Sequence, residues 1–273
     1  MKLKIKDILL NYKVFGEGKP IVIVHGYSVD YRVMFKSMEN LFTKESCYKR
    51  IYVDLPGMGE STSADWIKSS DDMLDILVEF INKVTSGEKF LLAGESYGGY
   101  LVRGVLYKIP KKVSGLLLVC PAIIADFKKR TVPEHTVLVK DNELKSKISE
   151  EAYDDFNSIS VVQNENIYKR YDEEIMSGVK LGDEKFLRRL QETGYSFSFN
   201  VDNLSEKFYG PTLMLLGRQD SVVGYKDAWS ILENFPRATF AVIDMAGHNL
   251  QIEQEKIFNT LVTDWIKRVH IEN

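Results

Sequence analysis

The segment F-L-L-A-G-E-S-Y-G-G-Y, residues 90–100, constrains this chain more than any other. A short apolar run reads as a buried strand, and a serine follows within the pattern G-x-S-x-G. The apolar stripe Leu101, Val102, Val105, Leu106 and Ile109 then sets in with helical spacing. Strand, sharp turn and helix in immediate succession leave no room for side chains beside the serine, so Gly94 and Gly98 are small for steric reasons. Ser96 is thereby aimed outward. It sits at a helix N-terminus, where unpaired N–H groups favour developing negative charge.

The same alternation of strand and helix runs through most of the chain. Apolar runs at 21–24, 51–53, 90–93, 116–119, 213–216 and 240–243 lack strict alternation, the pattern of strands covered on both faces. Between them come helical stripes: Met34, Met38, Leu41 and Phe42; then Met73, Leu77, Phe80, Ile81 and Val84; and last Ile257, Leu261, Trp265 and Val269. The second stripe follows a capping pair, Ser69 and Ser70, with Asp71 and Asp72 in its first turn. This order predicts an α/β architecture, a mostly parallel, doubly wound sheet. The opening segment, K-L-K-I-K-D-I-L-L then N-Y-K-V-F up to G-E-G-K-P, carries no helical pattern and predicts an antiparallel N-terminal hairpin at the sheet edge.

From 122 to 208 the rhythm breaks. Charged residues surround helix-like patches at 149–156, 165–171 and 183–190, and a structureless loop of that length is implausible. The reading is an inserted helical cap over residues 122–208, with a core formed by 1–121 and 209–273. The 273 residues, 44% of them hydrophobic, suffice for one such domain plus its insertion.

Composition narrows the function classes. With 36 basic and 39 acidic residues the net charge is −3, which gives no broad positive field, so nucleic acid is not an expected partner. Lys128, Lys129 and Arg130 read as a solvated face. Cys47 and Cys120 are far apart, follow no C-x-x-C pattern and read as structural. The N-terminus alternates charge with apolar residues like a strand and not like a signal peptide, and no apolar run approaches the roughly 18 residues of a membrane span, so a cytoplasmic protein is expected. The histidines lack metal-ligand spacing, and neither a P-loop nor G-x-G-x-x-G occurs. The expectation is no metal and no organic cofactor.

A serine hydroxyl is a poor nucleophile near neutral pH and needs a base that titrates close to that range, which histidine does. Of the four histidines, His25 reads as engaged in backbone geometry, His135 falls in the cap and His270 near the C-terminus. His248 follows a strand in F-A-V-I-D-M-A-G-H-N-L, where Gly247 permits a tight loop back over the sheet. The base in turn needs a carboxylate to fix its tautomer. Asp220, Asp126 and Asp244 all lie near strand ends.

In these residues the chain resembles the α/β-hydrolase superfamily, in which the G-x-S-x-G elbow carries the nucleophile. The resemblance covers nearly the whole chain except the cap. It implies a catalytic triad of Ser96, Asp220 and His248 in the family's own chain order, with Asp220 placed as the family places it after the strand-ending Gly217. His25-Gly26 after an early strand implies that the backbone N–H groups of Tyr27 and Tyr97 form an oxyanion hole. The segment D-L-P-G-M-G-E-S resembles one that is structural in the family, which leaves Asp54 and Ser61 outside the site. The resemblance thus implies a serine hydrolase, carboxylesterase-like, cleaving an ester-like bond of a small apolar or aromatic substrate through an acyl-enzyme. H-G-Y-S lacks the H-G-G-P-G of proline iminopeptidases and the glycine-rich form of carbon–carbon hydrolases. A carbon–carbon or amide hydrolase with the same triad stays open, as does a ligand-binding receptor on a hydrolase scaffold. Tyr153, Phe156, Tyr168, Tyr195, Phe197 and Phe199 are candidates either for an aromatic ceiling over the substrate or for the packing of the cap. Oligomeric state is not legible.

Overall fold

The structure is a computed structural model and describes residues 1–43 and 46–271. Its strands are β1 (Lys2–Ile5), β2 (Ile8–Phe15), β3 (Lys19–Val24), β4 (Tyr48–Val53), β5 (Phe90–Glu95), β6 (Val113–Val119), β7 (Val139–Lys140), β8 (Val162–Gln163), β9 (Thr212–Gly217) and β10 (Ala238–Ile243). Eight of them form one sheet in the order β1-β2-β4-β3-β5-β6-β9-β10. β1 and β2 pair antiparallel, β2 joins β4 antiparallel, and every other pairing in that sheet is parallel. The N-terminal hairpin is therefore at the edge, as its composition predicts, and its turn falls at Lys6 and Asp7 inside the first charged run.

Helices α1 (Arg32–Glu39), α2 (Ser70–Val84) and α3 (Tyr97–Lys108) follow β3, β4 and β5. The Ser69 side chain accepts from Asp72 N–H while the Asp72 carboxylate accepts from Ser69 N–H, a reciprocal capping box that fixes where α2 begins. After β6 come α4 (Leu144–Lys147), α5 (Glu150–Ile159), α6 (Glu165–Tyr171), a single π-turn (Asp172–Met176) leading into α7 (Ser177–Val179), and α8 (Glu184–Thr193). Side chains of Ser149, Asn164 and Asp183 cap α5, α6 and α8, so the three charged patches in the sequence are three capped helices. The pair β7–β8, parallel and only two residues long, carries no sequence signal of its own. α9 (Lys226–Trp229), α10 (Leu250–Glu253) and α11 (Glu255–Ile271) complete the chain.

α2 packs on α3, and α1 packs on α10 and α11, which gives one helical layer on each face of the sheet. Most strands are buried on both faces; β10, the last strand, is half-exposed because it has a neighbour on one side only. The buried stripe of α11 is Phe258, Val262, Trp265 and Val269; it shares Trp265 and Val269 with the stripe read from sequence and has Phe258 and Val262 in place of Ile257 and Leu261. Ile257 is exposed: one position earlier turns a side chain by about 100°, from core to solvent. The indole N–H of the fully buried Trp265 donates to Pro211 O at 2.9 Å, which anchors this helix to the entry of β9.

Parallel register sets up the site. Val24 faces Gly94, Glu95 faces Val119, Val119 faces Leu215, and Ile243 faces Gly217. The loops after β3, β5, β6, β9 and β10 therefore emerge side by side at the carboxyl edge, where open α/β sheets hold their ligands.

Candidate active site

Between β5 and α3 the backbone turns so sharply that Ser96 lies at φ 52°, ψ −117°, a conformation that L-residues rarely adopt and that costs about 1–3 kcal/mol. The neighbouring glycines explain how the turn closes. A Cβ on Gly98 would sit 2.3 Å from Val24 O and 2.5 Å from His25 O, and one on Gly94 would sit 2.6 Å from Gly98 O. A larger residue at 98 would push the start of α3 from the end of β3, one at 94 would push β5 from α3, and either would tilt the serine.

His248 Nε2 lies 2.9 Å from Ser96 Oγ, and His248 Nδ1 lies 3.0 Å from Asp220 Oδ2. Asp220 Oδ1 accepts from the N–H groups of Val222 and Val223 at 2.8 and 3.0 Å, so its second oxygen is left to the imidazole. Asp220 is fully buried, while Ser96 and His248 each keep 8% exposure. Burial pushes the Asp220 carboxyl up, but the imidazole and the two N–H groups outweigh it and hold the carboxyl below its usual range. Burial likewise pushes His248 down, and the charge and hydrogen bond of Asp220, with a contribution from Glu95, outweigh it and hold the imidazole above its usual value. An imidazole in hydrogen-bond reach of a hydroxyl on one side and of a buried carboxylate on the other can take the hydroxyl proton and hold the resulting charge.

Neither of the other two carboxylates considered from sequence bonds the imidazole, although Asp126 shares a cavity wall with Ser96 and His248. Asp126 caps the short turn after it by accepting from Lys128 N–H at 3.1 Å, and Asp244 accepts from Gln219 Nε2 at 2.7 Å. His25 accepts from Leu55 N–H through Nε2 at 2.9 Å and meets Gly26 O through Nδ1 at 2.7 Å; His135 meets Asn157 O at 2.7 Å. Asp54 and Ser61 knit the loop after β4 to Asn11 of β2. Cys120 is buried and Cys47 exposed. The Cys120 thiol comes within 4.8 Å of the donor atoms of Asp220 and His248, and there the Asp220 and His248 donors are already bonded to each other.

Ser96 and His248 lie in the wall of a cavity of about 860 Å³. Tyr27, following β3, lines it, and Tyr97 opens α3 beside Ser96. Their rings meet edge to face at 5.3 Å, and both pack on Tyr195, at 5.1 and 4.7 Å. Val29, Val33, Ile175, Met176 and Val179, from α1 and its loop and from the helical run α6 to α7, give the cavity an aliphatic wall. Of the six aromatic residues singled out in the sequence, Tyr195 alone lines the cavity. Phe197 and Phe199 stack on each other and pack on Tyr100 and Tyr107 of α3, which fastens the segment to that helix, while Phe156 packs on Tyr168 and Lys145 lies over the Tyr153 ring within the segment.

Two glutamates escape the sequence reading. Glu95, the variable residue within G-x-S-x-G, is 3% exposed and brings Oε1 to 3.5 Å from His248 Nε2. The sequence did carry a signal: a strand buried throughout its length buries this residue too. Glu253, in α10, accepts from Val161 and Val162 N–H at 2.6 and 3.1 Å and from Gly247 N–H at 2.6 Å. It thereby ties the His248 loop to the entry of β8. Glu253→Gln presents an amide donor to at least one of those N–H groups, and an expected loss of about 1–3 kcal/mol in stability should appear as a lower denaturant midpoint at unchanged m-value.

Among the described residues no helix is long and apolar enough to cross a membrane. A sequence profile described as serine aminopeptidase, S33, matches residues 18–255. Over 256 residues the chain is 25% identical to a pimeloyl-(acyl-carrier protein) methyl ester esterase of Legionella pneumophila (strain Corby), spanning 93% of this chain and 97% of that protein. It is 24% identical to a monoacylglycerol lipase of Homo sapiens, spanning 93% of this chain and 77% of the lipase. An alpha/beta superfamily hydrolase from Oenococcus oeni PSU-1 superposes with a TM-score of 0.88 at 29% identity, over 99% of both chains. The curated relatives are thus esterase-type hydrolases, and the sheet, its antiparallel edge and its flanking helices are those of the same fold. The profile, the relatives and the superposition agree: the chain belongs to the serine aminopeptidase, S33, family and is an enzyme of the α/β-hydrolase superfamily.

Proposed function

We propose that this enzyme hydrolyses carboxylic esters through an acyl-enzyme on Ser96. The single observation that carries the reading is the line of contacts Ser96 Oγ to His248 Nε2 at 2.9 Å and His248 Nδ1 to Asp220 Oδ2 at 3.0 Å, opening on a cavity of about 860 Å³. His248 takes the Ser96 proton as Oγ adds to the carbonyl carbon. The oxygen that becomes negative is received by the N–H groups of Tyr27 and Tyr97, and that preorganised field is the largest single contribution to the rate. His248 then gives its proton to the leaving alkoxide, the alcohol departs, and water activated by the same imidazole releases the acid. Asp220 keeps Nδ1 protonated throughout.

The segment 122–208 is proposed to act as the cap, with 1–121 and 209–273 as the core. In support, it supplies Arg130, Ile159, Tyr171, Met176 and Tyr195 to the cavity wall. The aliphatic wall suits an apolar acyl or alcohol group, and the relatives' names supply the ester class. No part of the proposed cycle calls on a metal or an organic cofactor, and the expected partner is a small-molecule substrate.

The test is turnover of p-nitrophenyl esters of graded acyl length beside an amino-acid p-nitroanilide. Sustained release from the esters, with little from the anilide, supports the reading. A single stoichiometric burst would assign ligand capture instead, and faster turnover of the anilide would assign the amide chemistry in the family's description.

A further inference from the structure

Ser96, His248 and Asp220 leave one buried acid beside them unaccounted for. Glu95 is 3% exposed, its Oε1 lies 3.5 Å from His248 Nε2, and its Oε2 is buried with no side-chain partner, against the backbone of Gly26. Oε2 lies under the loop after β3, where a Cβ on Gly26 would stand 2.4 Å from it, and the residue lines the same cavity as Ser96. A structural carboxylate this deep would be expected to have both oxygens satisfied, as those of Asp220 and Glu253 are. Glu95 instead faces the nitrogen of His248 that receives the nucleophile's proton.

We infer that Glu95 is a positioning residue for the base, a second carboxylate whose charge bears on His248 from the Nε2 side, opposite Asp220, and sets the pH at which the imidazole becomes free to accept the Ser96 proton. The inference rests on the reading of Ser96 and His248 given above. Imidazole and carboxyl at 3.5 Å interact too strongly to titrate independently, so protons leave the pair in coupled steps. Burial pushes the Glu95 carboxyl up to about 7, against the pull of the imidazole, which brings both groups into one range. The other groups bearing on the pair are few. Asp220 raises both members; the backbone N–H of Gly26, in the loop after β3, lowers Glu95; Arg130, from the segment after β6, lowers His248; Cys120 at the end of β6 and Tyr195 after α8 are themselves raised by Glu95. Burial holds the Cys120 thiol well above its ordinary value and pushes the Tyr195 phenol up to about 12, so both stay neutral across the working range and Arg130 is a fixed cation.

The sign of the effect is set by charge. An ionised Glu95 favours the imidazolium, which cannot accept a proton, so wild-type activity rises only once the pair has lost its shared proton. Glu95→Gln removes the anion, the imidazole frees itself at lower pH, and the acidic limb moves down by roughly one pH unit. Glu95→Asp retains a carboxylate and keeps the limb close to wild type. A purely structural Glu95 would change stability and maximal rate in both variants and leave the limb in place.

The experiment is the rate of covalent labelling of Ser96 by a fluorophosphonate as a function of pH, which needs the nucleophile and base but no knowledge of the substrate. The expected result is a downward shift of the limb in Glu95→Gln and not in Glu95→Asp, with Glu95→Ala carrying the glutamine expectation should that variant fail to fold. Labelling of Ser96 with one limb common to all variants, or an equal shift in Gln and Asp, overturns the role of Glu95 while leaving the nucleophile intact. Absence of label on Ser96 in the wild type removes the nucleophile reading, and this inference with it.

Discussion

Ser96→Ala is expected to lower kcat on an activated ester by about 10⁶-fold, the size expected where nucleophile and base act as one unit. The substitution deletes one oxygen from a site that is 8% exposed and leaves His248 bonded to Asp220. The backbone at φ 52° is strained for alanine as for serine, so the unfolding midpoint stays near that of wild type. Kinetics and a denaturant titration on the same preparation separate chemistry from folding. A variant that keeps most of its activity would move the nucleophile elsewhere.

Asp220→Asn is the second large effect, a fall in kcat of about 10⁴-fold. The amide oxygen can still accept from Val222 and Val223, as Oδ1 does now. That orientation turns the NH₂ toward His248 Nδ1, a donor where an acceptor is needed, and the imidazole responds by placing its proton on Nε2, facing Ser96. The base is then present in the wrong tautomer. Asp244→Asn should leave the rate near wild type, since Asp244 bonds Gln219 and not the imidazole. The reverse ranking in steady-state assays would reassign the acid.

The features legible in the sequence are those that chain-local chemistry dictates. Ser96 declares itself because a strand, two sterically required glycines and a helix stand in one eleven-residue run, and His248 because Gly247 breaks the chain just after a strand. The parallel strands follow from apolar runs that do not alternate, and α5, α6 and α8 from the charged, helix-like patches at 149–156, 165–171 and 183–190. Other features depend on what lies across the fold. Glu253 acquires its importance from Val161 and Val162, some ninety residues earlier, and Glu95 from a loop beyond β10. The phase error in α11 has the same origin: Ile257 and Phe258 are equally apolar, and the sheet's position decides which of them is buried. Tyr171 lines the cavity although nothing local distinguishes it from Tyr168 one turn earlier.

The central claim, that the elbow serine is the reacting group, is tested most directly by treating the protein with a fluorophosphonate and mapping the adduct by mass spectrometry. The label is expected on the tryptic peptide from Phe90 to Arg103, at Ser96, and is expected to disappear in both the Ser96→Ala and the His248→Ala variants. Stoichiometric label on another peptide, or on this one after Ser96 has been replaced, would contradict the claim.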